Sequence, residues 1–320
     1  MIFVNILILI VGFVILIKGA DLFVDGASGI ALNFKVSKML IGLTIVAFGT
    51  SAPEFAVSVK SLLSGSGDIV LGNVIGSNIL NILLILGVSS LFHFLNVKNN
   101  TVKKELPIMI LLSTLFSVLL FDHIFDGGTD AFTRGDGIVL VLFFMVFLYY
   151  LIAMMRKKVD VNQEVEDKQL SMKKSLFFTL IGIVGIVLGS NFVVDSASKI
   201  AAALGVTERL ISLTIIALGT SLPELVTSVT ATRKGEFDIA IGNVVGSNIF
   251  NICMVVGIPV SLFGGIASYT LNIVDLFVML LAAVLLFAFS YKDKKIGRKE
   301  GIIFLTIFVI YYSYVIFGNV

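Results

Sequence analysis

The sequence predicts an all-α polytopic membrane protein, with ten transmembrane helices arranged as two inverted five-helix repeats and broken helices at a central ion site. Three observations support this fold class. The 320 residues are 58% hydrophobic and 14% charged, with a mean hydropathy of +1.07, which is far more apolar than a soluble domain of this length. Apolar runs long enough to cross a hydrocarbon core recur along the chain. A stretch of 42 residues also occurs twice, at an offset of 170 residues, with 24 identities.

The positions of the spans follow from the apolar runs and from the connectors between them. The predicted spans are residues 2–31, 39–63, 68–92, 104–121, 136–155, 173–202, 209–232, 238–263, 271–290 and 300–317. A polar connector then divides the chain into a first five-helix repeat (1–155), a cytoplasmic linker (156–172) and a second repeat (173–320). Because each half has an odd number of spans, the second half enters the membrane the opposite way round. The repeats are therefore expected to be inverted.

Lysine and arginine are unequally distributed between the two sides of this layout. If the connectors alternate, 18 of the 23 basic residues fall on one side and four on the other, with Lys18 inside the first span. Positively charged connectors face the cytoplasm. We therefore expect a multi-pass protein of the cell membrane whose termini are both extracytoplasmic.

Composition also argues against several classes of protein. The single cysteine, Cys253, rules out an internal disulfide. The sequence has no basic patch interleaved with aromatic residues, so we expect no nucleic-acid partner. It does not indicate an enzyme, a cofactor or an obligatory protein partner. The partner that it does indicate is the lipid bilayer.

Each copy of the repeated stretch has a proline near the middle of a predicted span. Pro53 and Pro223 have no amide hydrogen, so the carbonyl one turn earlier loses its helical partner. Both follow a Gly-Thr-Ser sequence that further weakens the helix. The pattern predicts a broken helix in each repeat, with carbonyl oxygens freed near Ala47–Thr50 and Ala217–Thr220. Since lipid cannot satisfy these oxygens, they must line a cavity, meet other protein or bind an ion.

A glutamate follows each proline directly. An acid within a membrane span is costly, and Glu54 and Glu224 occur at matching positions, so a functional role is the favoured interpretation. The next span of the first repeat has Asn73, Ser77 and Asn81 at intervals of four, which places them on one face of a helix. The second repeat has the same stripe at positions 243, 247 and 251. For Asn73 and its neighbour Asn78, hydrogen bonding between helices is the alternative role.

The polar groups near mid-span are all oxygen ligands. They comprise two carboxylates, the amides of Asn81 and Asn251, the freed carbonyls, and the hydroxyls of Thr50, Ser51, Ser77, Thr220, Ser221 and Ser247. Such a set suits the hard cations Ca²⁺ and Na⁺, whereas Mg²⁺ demands a tight octahedron and retains its waters. Two ionised glutamates give the empty site a charge of −2, which one Ca²⁺ or two Na⁺ would neutralise. Protons would do the same, so the charge alone leaves proton coupling open.

The segments Gly49–Glu54 and Gly72–Asn81, with their copies at 219–224 and 242–251, closely resemble the two α-repeats of the Ca²⁺/cation antiporter superfamily. The most similar branch is that of the prokaryotic sodium/calcium exchangers. The resemblance implies that Ca²⁺ and Na⁺ are the transported ions and that no cofactor is needed. It implies as ligands Glu54, Glu224, Asn81, Asn251, Thr50, Ser51, Ser77, Thr220, Ser221, Ser247, and the carbonyls of Ala47 and Ala217.

The resemblance further implies a secondary antiporter that works by alternating access, with the first and sixth helices sliding as a pair. Extrusion of Ca²⁺ by inward Na⁺ is the expected direction. A Ca²⁺/H⁺ antiporter of the same superfamily is the alternative, and a cation channel is disfavoured because broken helices in inverted repeats do not form a continuous pore. Several family members have Asp where this chain has Asn251. The site therefore has one acid fewer, which leaves the Na⁺:Ca²⁺ ratio and any K⁺ dependence open.

Overall fold

The computed structural model describes residues 2–121, 131–156, 170–206, 215, 217–267, 269 and 272–317. The helices are α1 Ile2–Phe34, α2 Lys38–Thr50, α3 Ala52–Leu63, α4 Gly67–Phe92, α5 (a wide turn Thr101–Glu105 that continues as Leu106–Leu119), α6 Arg134–Met155, α7 Met172–Ala203, α8 Ala217–Thr220, α9 Leu222–Arg233, α10 Phe237–Phe263, α11 Ile273–Asp293 and α12 Arg298–Phe317. Two short strands, β1 (Leu95–Asn96) and β2 (Lys295–Ile296), pair antiparallel.

The described residues confirm a helical membrane architecture. Within them, seven single helices are long and apolar enough to cross a membrane, and the bent pair α2–α3 makes an eighth candidate. The predicted span 104–121 falls on the shorter α5, and the first part of span 209–232 lies largely outside the described residues. The predicted linker 156–172 lies mostly outside them as well. The total of ten spans therefore stays a prediction.

The helices that carry the repeated motifs lie at the centre of the molecule. The most apolar 18-residue window of α10 is 100% buried and that of α4 is 72% buried, whereas the corresponding windows of α1 and α12 are each 17% buried. The outer helices expose large apolar side chains such as Phe3, Val146 and Ile310. Such side chains are stable against lipid, so the polar motifs are enclosed by a lipid-facing layer.

Helices α1 and α7 pack closely along most of their length and run antiparallel. A Cβ atom at Gly12 would lie 2.9 Å from Phe192 Cβ, and one at Gly26 would lie 2.5 Å from Thr179 N. Residues later in α1 therefore contact residues earlier in α7. Glycine permits this approach because it has no side chain. Antiparallel packing is what two repeat-related helices adopt when the repeats are inverted.

Connectors from different parts of the chain pair with one another. Strand β1 follows α4, and its partner β2 follows α11. The salt bridges Lys98–Asp238 and Lys38–Glu236 lie in, or one residue beyond, the connectors that are predicted on the same side as these strands. Phe132 and Ile266 pair through their backbones, and both belong to connectors predicted on the other side. These pairings are consistent with the predicted alternation of the spans.

Candidate ion-binding site

The predicted helix breaks are present in both copies of the motif. The chain bends by 46° between helices α2 and α3. The break lies at Ser51, whose backbone leaves the helical conformation at φ −82° and ψ 5°. Ser221, between α8 and α9, has φ −88° and ψ 3°. The two repeats therefore bend their chains at matching serines, one residue before the turn that contains the proline.

The carbonyl of Ala47 is not free in the way that the sequence predicts. It accepts the backbone N–H of Ser51 at 3.0 Å and lies 3.4 Å from the Thr50 hydroxyl. A carbonyl oxygen has two lone pairs, so coordination of an ion by Ala47 requires the second one. Ala217 occupies the matching position at the start of α8.

The carbonyl that Pro223 leaves without a helical partner belongs to Gly219. It accepts a hydrogen bond from Ser190 Oγ of α7 at 3.1 Å, so other protein satisfies it. The repeat-related position in α1 is Ala20, which has no side-chain donor for Gly49. The freed carbonyls were predicted to line a cavity, to meet other protein or to bind an ion. In the second repeat, the Gly219 carbonyl meets other protein.

The two glutamates are buried, and each pairs with a serine of the opposite repeat. Glu54 and Glu224 are each 1% exposed. Ser51 Oγ donates to Glu224 Oε1 at 3.1 Å, and Ser221 Oγ lies 3.5 Å from Glu54 Oε1. Ser221 Oγ is also 3.3 Å from Ser77 Oγ. The structure therefore brings together side chains that are about 170 residues apart in the sequence.

The two threonines of the motifs lie beside the same groups. Thr50 Oγ1 lies 3.0 Å from Asn243 Oδ1, and Thr220 interacts with the Glu54 carboxyl. Ser247 Oγ is buried and has no hydrogen-bond partner among the described residues. Asn243 was predicted only as part of the polar stripe. In the structure its Oδ1 accepts a hydrogen bond from the Thr50 hydroxyl.

The asparagines form two cross-repeat pairs. Asn81 Nδ2 donates to Asn248 Oδ1 at 3.0 Å, and Asn251 Nδ2 donates to Asn78 Oδ1 at 3.1 Å. Asn81 and Asn251 each begin a wide π-helical turn, Asn81–Leu86 and Asn251–Val256. Such turns often occur at functional sites because they redirect backbone and side chains. No sequence pattern predicted these turns.

Four buried acceptor atoms of this centre are unpaired among the described residues. Within the described part of the chain, Oε2 of Glu54 and Glu224 and Oδ1 of Asn81 and Asn251 have no hydrogen-bond partner. Buried polar atoms are seldom left unpaired. All four atoms are oxygen acceptors, contributed equally by the two repeats. We call the centre formed by Glu54, Glu224, Asn81 and Asn251 and the hydroxyls beside them the oxygen cage, and its acceptor atoms have the chemistry that binds a cation.

The described residues contain no group of three or more His, Cys, Asp and Glu side chains arranged to hold a metal ion. The oxygen cage has two carboxylates, complemented by amides and hydroxyls. Transition metals favour imidazole and thiolate ligands, whereas carbonyl, hydroxyl and carboxylate oxygens suit hard cations. The donor set therefore fits Ca²⁺ or Na⁺.

Two further acids, the buried Glu105 and the half-buried Asp275, follow the repeat offset and were missed from the sequence. Glu105 of α5 accepts a hydrogen bond from Tyr150, and Asp275 of α11 accepts one from Tyr311 at 3.0 Å. Glu105 and Asp275 are 170 positions apart. That offset was available in the sequence and would have identified them as a pair.

Comparison with known proteins decides the family. The family model described as sodium/calcium exchanger protein matches residues 4–153 and 174–317. The chain belongs to the sodium/calcium exchanger family. The sodium/calcium exchanger MaX1 of Methanosarcina acetivorans is 33% identical to it over 97% of each chain. CaxA of Alkalimonas amylolytica is 37% identical over 97% of this chain and 98% of its own.

A solved exchanger has the same fold. The sodium-calcium exchanger NCX_Mj, soaked with Na⁺ and Sr²⁺, matches with a TM-score of 0.84 at 33% identity, over 97% of this chain and 98% of its own. Family membership confirms the resemblance that the repeated motifs indicated. This member of the exchanger family is a membrane protein that carries out ion antiport.

Proposed function

We propose that this exchanger carries Ca²⁺ in one direction and Na⁺ in the other by alternating access at the oxygen cage. The observation that carries the proposal is the set of four buried acceptor oxygens that have no donor among the described residues. The relatives MaX1 and NCX_Mj are named for sodium and calcium exchange, which supports the same pair of ions here.

The proposed ligands combine both repeats. They are Glu54, Glu224, Asn81, Asn251, Thr50, Ser51, Ser77, Thr220, Ser221, Ser247 and the carbonyls of Ala47 and Ala217. With both glutamates ionised, one Ca²⁺ or two Na⁺ neutralise the cage. Moving two bare carboxylates through a low-dielectric barrier costs several kcal/mol each. Loaded cages therefore cross more readily than an empty one, and this difference makes transport an exchange rather than a leak.

The proposed architecture has ten spans in two inverted repeats, 1–155 and 173–320, joined by the linker 156–172. The antiparallel packing of α1 on α7 and the pairing of same-side connectors support it. In this arrangement α1 and α7 slide together across the central helices and open the cage to each side in turn. The N-terminal half of α1 exposes most of its residues to lipid, so protein packing there offers little resistance to such a movement.

The proposed orientation places the basic connectors, including that of β2, in the cytoplasm and both termini outside. The positive-inside distribution of lysine and arginine supports it. With Na⁺ flowing inward, the exchanger then extrudes Ca²⁺. A single cysteine introduced at Lys295 tests the orientation, since the native Cys253 is buried. Labelling of that cysteine from outside intact cells would contradict it.

Transport by the purified protein in liposomes tests the function. Vesicles loaded with Na⁺ should accumulate ⁴⁵Ca²⁺ when diluted into Na⁺-free medium, and equal Na⁺ on both sides should abolish the uptake. Uptake that ignores the Na⁺ gradient but follows a pH gradient would identify a Ca²⁺/H⁺ antiporter instead. Reversal potentials under set Na⁺, Ca²⁺ and H⁺ gradients then give the coupling ratio.

A further inference from the structure

The orientation of two amide groups decides whether the oxygen cage can bind a cation. An asparagine amide presents oxygen at one end and N–H donors at the other. Turned through 180°, Asn81 or Asn251 would direct hydrogen atoms at the ion instead of a lone pair. In the structure the Nδ2 atoms of both residues are engaged outside the cage, and their Oδ1 atoms lack a partner among the described residues.

Asn248 fixes the orientation of Asn81. Its Oδ1 accepts from Asn81 Nδ2 at 3.0 Å, while its own Nδ2 faces Met109 Sδ at 3.6 Å. A thioether sulfur accepts hydrogen bonds weakly and has no hydrogen to donate. Turning Asn248 would set its oxygen against that sulfur and its N–H groups against those of Asn81. Met109 therefore orients Asn248, and Asn248 orients Asn81.

The repeat-related residues form a second relay of the same kind. Asn78 Oδ1 accepts from Asn251 Nδ2 at 3.1 Å, and Asn78 Nδ2 lies 4.0 Å from Met279 Sδ. Asn78 Nδ2 also lies 3.4 Å from the carbonyl oxygen of Asn248, a second acceptor that holds its donor end in place. Every member of one relay lies 170 positions from its counterpart in the other.

All six side chains are enclosed. The four asparagines and the two methionines are each at most 2% exposed, so bulk water does not compete for their hydrogen bonds. A buried donor without an acceptor is costly, so each relay has a strong preference for the orientation observed. That preference is established before any ion arrives.

We propose that Asn78 and Asn248 are positioning residues that turn the oxygens of Asn251 and Asn81 into the cage and thereby set its affinity for Ca²⁺. The inference rests on the proposed function, in which Asn81 and Asn251 coordinate the ion. Asn78 and Asn248 act through these ligands and do not themselves touch the ion.

A double-mutant cycle tests the proposal in proteoliposomes. Asn248→Leu keeps the shape of the side chain but removes the acceptor, so Asn81 can turn its N–H groups inward. The KM for Ca²⁺ should rise about tenfold, with a smaller change in maximal rate. Asn81→Asp presents oxygen in either orientation and needs no positioning. On the Asn81→Asp background, the further change Asn248→Leu should therefore raise the KM for Ca²⁺ less than threefold.

Ser113→Ala is the matched control. Ser113 is a buried polar residue on α5 that hydrogen-bonds the Met109 carbonyl but contacts neither relay amide. Loss of the Ser113 hydroxyl should leave the KM for Ca²⁺ unchanged. Elution by size exclusion shows which variants fold. If Asn248→Leu does not fold, Asn78→Leu with Asn251→Asp supplies the same cycle in the other relay.

The possible results distinguish failure of the positioning role from failure of the proposed function. An unchanged KM in folded Asn248→Leu would overturn the positioning role, and so would an equal rise on the wild-type and Asn81→Asp backgrounds. Absence of Na⁺-dependent Ca²⁺ uptake by the wild-type protein would instead overturn the proposed function.

Discussion

Replacing Glu54 by glutamine is the most direct test of the oxygen cage. The Glu54 side chain is 1% exposed, with Oε1 beside Ser221 and Oε2 unpaired among the described residues. Glutamine has the same length and retains Oε1 as an acceptor. It removes one negative charge and places an NH₂ group where a carboxylate oxygen stood. The cage then carries −1, and bound Ca²⁺ leaves an unneutralised positive charge in the membrane.

The magnitude follows from electrostatics in a buried site. Two unit charges about 4 Å apart attract by about 4 kcal/mol at an effective dielectric constant of about 20, and a divalent ion doubles that figure. The lower desolvation cost of glutamine offsets part of the loss. Removing one partner of a buried ion pair costs about 3–5 kcal/mol in measured cases. We therefore expect Ca²⁺ affinity to fall about 10²- to 10³-fold.

Calorimetric titration of the detergent-solubilised protein with Ca²⁺ measures the affinity, and Na⁺-driven ⁴⁵Ca²⁺ uptake measures transport. Glu105→Gln is the matched control because Glu105 is also a fully buried glutamate, with one unpaired oxygen among the described residues, but it pairs with Tyr150 outside the cage. The control should bind Ca²⁺ as the wild type does. Ca²⁺ affinity within threefold of the wild type in a folded Glu54→Gln protein would refute the role of Glu54.

Three further changes have defined expectations. Asn251→Asp adds a third acid, so the reversal potential should shift to a higher number of Na⁺ or H⁺ per Ca²⁺; an unchanged potential would exclude that residue from ion coupling. Ser190→Ala removes the donor to the Gly219 carbonyl and should lower thermal stability by about 1–3 kcal/mol in a melt, whereas unaltered melting would show that the bond contributes nothing. Gly182→Ala places a Cβ 2.6 Å from the backbone of α1 and should reduce transport severely. Gly135→Ala, whose nearest contact is 3.4 Å away, should not, and equal activity of the two variants would contradict close α1–α7 packing.

The sequence located the central side chains because each violates the rules of an apolar span. Glu54 and Glu224 are costly there, and their repetition indicated a shared role that the structure supports by placing each beside a serine of the other repeat. Which end of an amide faces the cage was beyond prediction. That choice depends on Met109 and Asn248, which contact Asn81 only through the tertiary fold.

Backbone details were predictable only in part. Proline and glycine gave a clear reason for the breaks at Ser51 and Ser221, since their effects are local. No local feature of the composition marks the wide turns that begin at Asn81 and Asn251. The fate of the Gly219 carbonyl likewise depended on a donor from another helix.

The pairing of groups across the repeats bears on how an exchanger opens. The hydrogen bonds from Ser51 to Glu224 and from Asn81 to Asn248 join opposite repeats at the cage itself, so separating the central helices would dismantle the site. In the proposed mechanism, access therefore changes by movement of helices outside the central ones. In that mechanism the moving part is α1 with α7, which pack closely on each other through glycines, while the buried C-terminal half of α1 also packs against the centre, with Phe23 beside Gly49. Their ties to the centre include one hydrogen bond from Ser190 and the ion pairs of Lys234 with α1. Partly exposed ion pairs are worth about 0–1 kcal/mol, which is weak enough for them to break and re-form in the proposed transport cycle.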